Sequence, residues 1–279
     1  MTDLASARAD HVKACCAAVY GSELVNLLLG GHLHPGGEAL TRRLADLAGI
    51  GPGDRVLDVA SGRGSTARLL VAERGATVRG IDLSPRLVAT AERGAADAGL
   101  TDTATFEVGD AERLEEREGS FDVVLCECAL CTFPDQAAAV AEFRRMLGRS
   151  GRVGIADVTL ERGRLPAELD TPIGRVACVA GALPSSGYER LLREGGFTDV
   201  VVEPHPEAAL ETVASIGDGL EATRDGLQGL FDVEAALRLV DVAQIAVAEG
   251  AIGYALITAS VADDAADPTD AGSGDGAPG

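Results

Sequence analysis

The stretch Arg55-Val-Leu-Asp-Val-Ala-Ser-Gly-Arg-Gly-Ser-Thr-Ala67 decides the fold. Its first residues form a short apolar run, broken only by Asp58, that reads as a buried strand. Gly62 and Gly64 follow, where the backbone can turn tightly and no side chain keeps a ligand at a distance. Helical periodicity then starts, Thr66-Ala-Arg-Leu-Leu-Val-Ala72. The first turn of such a helix points unpaired N–H groups at whatever lies over the loop.

The same alternation continues outward. Thr77-Val-Arg-Gly-Ile81 predicts a second strand, ending at Asp82 and Leu83. Pro85 to Ala98 predicts a helix with proline at an early position. Ala104 to Val108 and Phe121 to Leu125 predict the third and fourth strands, Gln136 to Leu147 a helix, and Gly151 to Ala156 a fifth strand. A βαβα order argues for an α/β domain with a mostly parallel sheet and helices on both faces. In such sheets ligands bind beyond the carboxyl ends of the strands. Tyr188 to Gly196 predicts another helix, and Val200 to Glu203 and Gly253 to Ala259 two final strands. Residues 207 to 250 between them look largely helical and far exceed a hairpin connection, so they are expected to be an insertion that covers a site. The chain thus divides into an N-terminal helical cap or lid (1–50), the main domain (51–261) and an acidic, Gly- and Pro-rich tail (262–279) expected to be disordered.

With 279 residues, 46% of them hydrophobic, the chain can bury a sizeable core. It has no apolar run long enough to span a bilayer, and its first residues carry acids rather than an apolar signal segment. A cytoplasmic protein with free thiols is expected. The net charge of −20 argues against nucleic acid and membrane surfaces as partners, and for a neutral or cationic small molecule. Lys13 is the single lysine, which excludes a Walker A phosphate loop and argues against Schiff-base chemistry. His11, His32, His34 and His205 form no HExxH zinc motif.

Three acids accompany the glycine turn. Asp58 stands inside the first strand, where a cationic ligand group can use it. Asp82 closes the second strand, where a carboxylate can accept two ribose hydroxyls, and Gly109-Asp-Ala111 places Asp110 after the third strand, near an adenine amino group. The Gly62 to Ala67 segment also fits the GxGxxA form of a nicotinamide loop, so on the residues alone a dehydrogenase stays open. So does a glycine turn that only shapes the chain.

Taken together, the loop, Asp82, Gly109-Asp110 and Phe121-Asp-Val-Val124 resemble the class I S-adenosylmethionine-dependent methyltransferases over residues 50 to 160. The resemblance implies a Rossmann-like fold and S-adenosyl-L-methionine as cofactor. It also implies binding residues at Asp58, Ala60, Ser61, Gly62, Gly64, Asp82, Leu83, Asp110 and Ala111. Ala60 stands where the family's loop usually begins with glycine.

Cys-Glu-Cys-Ala-Leu-Cys, residues 126 to 131, gathers three of the six cysteines at the end of the fourth strand. Read alone, they suit buried packing, a zinc site completed by Cys178 or a histidine, or a clamp for a soft atom. In the family just named this stretch faces the transferable methyl group, and here the sequence is similar to the arsenite methyltransferases. Cys128 matches that subgroup's cysteine after the fourth strand, and Cys178, within Val176-Ala-Cys-Val-Ala-Gly-Ala-Leu183, matches its second. By that resemblance Cys128 and Cys178 hold trivalent arsenic as thiolates. Cys126, Glu127 and Cys131 are then further acceptor-site candidates, and Cys15 or Cys16 a third arsenic ligand from a folded-over N-terminus. The expected partners are a small-molecule or metalloid acceptor and a thiol reductant. Glu127 also reads as an ordinary hydrogen-bonded acid. The Gly30 to Gly37 segment, with His32 and His34, reads as a lid loop or as a turn before a helix at Glu38, and Tyr20 as a contact to the methionine part of the cofactor or a core aromatic. Two other functions stay open: methylation of an oxygen, nitrogen or carbon of an organic molecule, and metalloid or zinc binding without turnover.

Overall fold

Seven strands make one sheet, in the order β3-β2-β1-β4-β5-β7-β6, in a computed structural model of the chain. The structure describes residues 34–170, 178–179, 181–227 and 232–262, together with Lys13, Ala14, Ala18 and Tyr20. In chain order the elements are α1 (Gly37–Leu47), β1 (Arg55–Val59), α2 (Ser65–Arg74), β2 (Thr77–Asp82), α3 (Pro85–Asp97), β3 (Ala104–Val108) and β4 (Phe121–Glu127). They continue with α4 (Gln136–Met146), β5 (Leu147–Leu160), α5 (Ser185–Glu194), β6 (Phe197–Pro204), α6 (Pro206–Leu227), α7 (Val233–Ala248) and β7 (Ile252–Val261). β1 to β5 pair in parallel, and β7 runs antiparallel between β5 and β6.

Strand alternation sorts the core into two faces. Leu57, Val59, Val124, Cys126 and Ile155 pack with Phe143 of α4 and Leu192 of α5. Val56, Val78, Val123 and Leu125 pack on the other side with Leu44 of α1, Leu70 of α2 and Ala91 of α3. Local signals set the helix starts. Ser84 accepts from the Leu87 N–H with Pro85 in the first turn of α3, and Asp135 accepts from the Ala138 N–H at the start of α4. Gly64 precedes α2 at φ 69°, and a Cβ there would lie 2.6 Å from Phe106, so both the turn and the packing require glycine.

Three expectations change. The fourth helix stops at Met146, and Leu147 already pairs with Phe121 as the first residue of β5, ahead of a register shift. The region 1–50 is not a cap throughout. Leu44 and Ala45 of α1 are fully buried, and α1 lies against β5 and β7 as part of the helical layer. The 207–250 segment is a helix pair, α6 and α7, that packs on itself and on β7, and none of its described residues lines the cleft described below. The tail from residue 263 lies outside the described residues. Among those described, no helix is long and apolar enough to cross a membrane.

Candidate active site

β1, β2 and β4 are neighbours, and each carries a carboxylate on the same face, at the last residue of β2 and β4 and one residue before the end of β1. Asp58 pairs in register with Gly80 and with Leu125, so Asp82 and Glu127 stand two positions beyond it toward the strand ends. Asp58 is therefore the floor between them. The loop from Ala60 to Gly64 turns over this floor, pinned by the Ser61 N–H on the Ile81 carbonyl at 3.0 Å. Asp82 accepts the Gly62 N–H at 2.9 Å and the Ser84 N–H at 2.8 Å, one on each oxygen. Burial pushes the Asp82 carboxyl up from its ordinary range, and those two N–H groups pull it back. Ala60 takes φ 59°, the left-handed region that favours glycine, which accounts for the glycine usual at that loop position.

A cleft opens above. Ala60, Gly62, Asp82, Leu83 and Leu87 line one side; Glu127, Cys128, Ala129, Thr132, Phe133 and Pro134 line the other; Lys13 and Tyr20 complete it. The residues present fit an adenosyl cofactor with a cationic amino-acid end. Among the described residues Oδ2 of Asp58, which is buried and 2% exposed as a residue, has no hydrogen-bond partner, and Oγ of Ser61 has none either. A buried orphaned acid beneath a glycine turn is a seat for a donor or cation. Burial, then the charges of Glu127 and Asp82, push the Asp58 carboxyl well up. Leu83 and Val108, 37% and 53% exposed, offer apolar surface beside Asp82 and at the end of β3 for a flat base to cover. Asp110 departs from expectation: Lys13 Nζ lies 3.0 and 2.8 Å from its two oxygens and 2.6 Å from Glu112, so its carboxylate already holds a cation. Neither Asp110 nor Ala111 lines the cleft.

On the Cys128 side of the cleft, Cys128 and Cys178 meet. Their sulfurs are 3.8 Å apart although the residues are 50 positions distant in sequence. Cys128 takes φ 53°, with its N–H on the Ala156 carbonyl at 2.6 Å, and Cys178 takes φ 64°. The Tyr20 hydroxyl lies 3.0 Å from the Cys178 sulfur. Hydrogen bonds from Cys128, Cys131 and Tyr20 hold the Cys178 thiol well below its ordinary range against its burial. The hydrogen bond to Cys178, together with burial, pushes Cys128 up.

The other candidates separate. Cys126 is fully buried among Val59 and Ile155, its pairing neighbours on the opposite face, and is a packing thiol rather than an acceptor residue. Cys131 is 1% exposed; it sits outside the cleft lining but reaches Cys178 with its thiol. Cys126 packs on the face of the sheet opposite Cys128 and Cys131, which separates the three thiols read as a zinc site; among the described residues no three His, Cys, Asp or Glu side chains group as a metal site. Cys15, Cys16, His11 and His32 lie outside the described residues. His34 is not over the cofactor cleft. Its ring nitrogens lie 3.2 Å from the Pro35 carbonyl and 3.4 Å from the Thr41 hydroxyl, and 4.0 Å from Glu127. Glu127 accepts from Thr41 at 3.0 Å and from Thr66 at 2.5 Å.

Two contributors were not read from sequence. Thr66 sits in the first turn after the glycine loop, a position whose side chain can face the cleft. Asp157, fully buried near the end of β5, accepts the Cys131 N–H at 2.9 Å and the Val158 N–H at 2.8 Å and so fixes the turn that carries the thiols. Burial and the nearby Cys178 charge push its carboxyl up to about 7, against the pull of hydrogen bonds from Cys131 and Val158. The strand-end rule for ligand sites was the available signal for Asp157.

A family described as a methyltransferase domain matches residues 57–155. The 27-O-demethylrifamycin SV methyltransferase of Amycolatopsis mediterranei is 30% identical over 256 residues, covering 85% of this chain and 93% of that protein. The chain belongs to the class I S-adenosylmethionine-dependent methyltransferases. Its cofactor is S-adenosyl-L-methionine, and the dehydrogenase reading is excluded. The methyltransferase is also similar to an arsenite methyltransferase of Halobacterium salinarum, 29% identical over 164 residues, which covers 58% of this chain and only 41% of that protein. The fold matches the phosphoethanolamine N-methyltransferase 2 of Haemonchus contortus, solved with S-adenosyl-L-methionine, with a TM-score of 0.71 at 22% identity over 85% of this chain and 56% of that one.

Proposed function

We propose that this methyltransferase methylates a soft acceptor held on thiolates, namely trivalent arsenic as arsenite or methylarsenite. The observation that carries the proposal is the 3.8 Å approach of the Cys128 and Cys178 sulfurs, with Cys128 on the wall of the cofactor cleft. Two sulfurs bound to one tetrahedral zinc through bonds of about 2.3 Å stand roughly 3.8 Å apart, so this spacing suits one soft atom bridging both. The partial likeness to the arsenite methyltransferase of Halobacterium salinarum supports it.

The cofactor supplies an electrophilic methyl group carried on a sulfonium. The chain supplies the position of the nucleophile. Cys178, held as the readier thiolate, takes arsenic first, and Cys128 gives up its proton as the second As–S bond forms. Exchange of one As–OH for the Cys178 thiolate releases hydroxide, and exchange of a second for the Cys128 thiol releases water. The lone pair stays on arsenic, so no general base is needed for its alkylation. Orienting two reactants in this way is worth up to roughly 7–11 kcal/mol. Arsenic rises from the trivalent to the pentavalent state when its lone pair takes the methyl group, and a thiol reductant supplies the two electrons that restore trivalent arsenic and keep both cysteines free between turnovers. Methyl transfer to arsenite and methylarsenite, followed with and without Cys128→Ser and Cys178→Ser, tests this. No binding and no methylated arsenic from the unaltered protein would sink it.

A second reading rests on the rifamycin-type relative, which the chain covers almost entirely: methylation of a hydroxyl on an organic molecule. Under it the cysteines only line the cleft, and Cys128→Ser leaves turnover of the organic acceptor unchanged.

A further inference from the structure

The chain has three tyrosines, and two of their hydroxyls are engaged. The Tyr188 hydroxyl donates to the Val158 carbonyl at 2.9 Å, and the Tyr20 hydroxyl lies 3.0 Å from the Cys178 sulfur. Tyr254 of β7 differs. It is 1% exposed, and among the described residues its Oη has no hydrogen-bond partner. A buried donor left unpaired is destabilising. Packing alone does not call for it, because phenylalanine fills the same space without a hydroxyl.

The sheet brings this residue to the thiols. Glu127 of β4 pairs with Ala156 of β5, and Ala156 with Leu256 of β7. Tyr254 pairs with Val158, two positions further toward the carboxyl end of β5. It packs in the cluster that holds Cys131 and Cys178, and Cys128 and Tyr20 lie against that same cluster. Cys128 turns out of β4 with its N–H on the Ala156 carbonyl, so only β5 stands between it and the strand of Tyr254. Burial, then the charges of Cys128, Glu127, Asp157 and Cys178, push the Tyr254 hydroxyl well up from its ordinary range. Three of those four groups already accept hydrogen bonds: Glu127 from Thr41 and Thr66, Asp157 from the Cys131 and Val158 N–H groups, and Cys178 from Cys128. The Cys128 sulfur is the donor in its bond to Cys178 and accepts none from the described residues.

We propose that the Tyr254 hydroxyl donates to the Cys128 sulfur once that thiol has lost its proton, as the counterpart of Tyr20 at Cys178. Tyr254 is then a positioning residue, acting on the acceptor through Cys128. Each thiolate has its own phenol, one from the N-terminal segment and one from the last strand. A hydrogen bond to a charged group is stronger than one between neutral partners, so the contact forms with the charge. Cys126, Glu127, Cys131, Asp157, Cys178 and Tyr20 also bear on Cys128, and the substitution used below leaves all of them in place. The use of this contact rests on the proposed function, in which Cys128 becomes a thiolate to bind arsenic; the contact itself needs no acceptor.

The test is the pH profile of Cys128 alkylation by iodoacetamide, read by peptide mass spectrometry in the unaltered protein and in Tyr254→Phe, with no acceptor present. Cys128 lines the cleft, where the reagent reaches it. The expected result is a Cys128 profile moved to higher pH, with its rate at pH 8 lowered roughly threefold or more, while the Cys178 profile moves less and S-adenosylhomocysteine affinity stays within about twofold. An unchanged Cys128 profile would overturn the proposal, leaving the hydroxyl idle or held by a buried water. Equal shifts at Cys128, Cys131 and Cys178 would also overturn it, showing a general loosening of the packing. Should Tyr254→Phe fail to fold, the unaltered chain is grown with 3-fluorotyrosine and its fluorine resonances are assigned with Tyr20→Phe and Tyr188→Phe. A Tyr254 resonance that follows the Cys128 titration, and ceases to in Cys128→Ser, supports the proposal; one indifferent to that substitution overturns it. Arsenic methylation enters neither readout, so loss of the proposed function and loss of this contact are told apart.

Discussion

The two ends of the cleft are built by different means. The cofactor end is local: within residues 55–84 one strand, one glycine turn and one further strand bring Asp58, the loop and Asp82 together through backbone hydrogen bonds. The acceptor end is assembled from far apart, with Tyr20, Cys128, Cys131 and Cys178 meeting through their side chains and with two of the cysteines at positive φ. A site of the first kind persists wherever the βαβ unit folds. A site of the second kind depends on each distant segment arriving, and is free to change between relatives while the cofactor end stays. That agrees with one fold serving rifamycin-type and arsenite methyltransferases alike.

The largest expected effect breaks the ends apart. Cys178→Ser should reduce arsenic methylation at least about a hundredfold, by removing the lower-pKa thiolate, while S-adenosylhomocysteine affinity stays within about twofold. A parallel loss of cofactor binding would show that the ends are not separable. The converse change, Asp82→Asn, places an amide N–H against the Gly62 or Ser84 N–H and should weaken cofactor binding by roughly ten- to a hundredfold. Alkylation of Cys178 by a small thiol reagent, read by mass spectrometry, should be unaffected.

A subtler effect lies in stability against pH. Asp157 has a folded-state value of about 7 against an ordinary 3.8, so the folded state binds its proton more tightly than the unfolded state does. Its favourable contribution is present below about pH 4 and is lost as pH rises toward 7. Cys178→Ser removes the neighbouring thiolate charge, lowers the Asp157 value and should flatten the fall in melting temperature between about pH 4 and 7, the window between the ordinary value and the folded-state value of about 7. If the slope is the same with and without the cysteine, the two groups are not coupled. The smallest effect sits back at the cofactor end. Ala60→Gly relieves a left-handed backbone costing roughly 1 kcal/mol but adds freedom to the unfolded chain, so a rise of only a degree or so in melting temperature is expected.

The same contrast governs what the sequence disclosed. β1 and β3 carry the bounds expected of them, β1 as a largely apolar run and β3 as a short strand with Thr105 and Glu107 between its apolar residues, each closed by turn residues. The glycine loop and Asp82 followed because their geometry is a property of adjacent residues. Leu147 was misplaced because the shift in pairing beside Phe121 leaves no mark in periodicity. The α6–α7 pair was recognised as helical, but where a helix pair docks is decided by the apolar face of β7, not by the pair itself. Cys126 and Cys128 stand two apart and would share a face in a regular strand; only the turn at Cys128 separates them, and Cys126 goes with Val124 to the far side. Asp157 and Thr66 gain their roles by convergence, which no single stretch displays.

Lys13, clasped by Asp110 and Glu112 at the rim of the cleft, carries the sole ε-amine of the chain. Acylating reagents or coupling surfaces aimed at lysine therefore address one point on this protein, and that point is a fastening rather than a bystander. Its labelling rate becomes a stopwatch for how often the clasp lets go, and a preparation immobilised through lysine would be tethered by its own doorway.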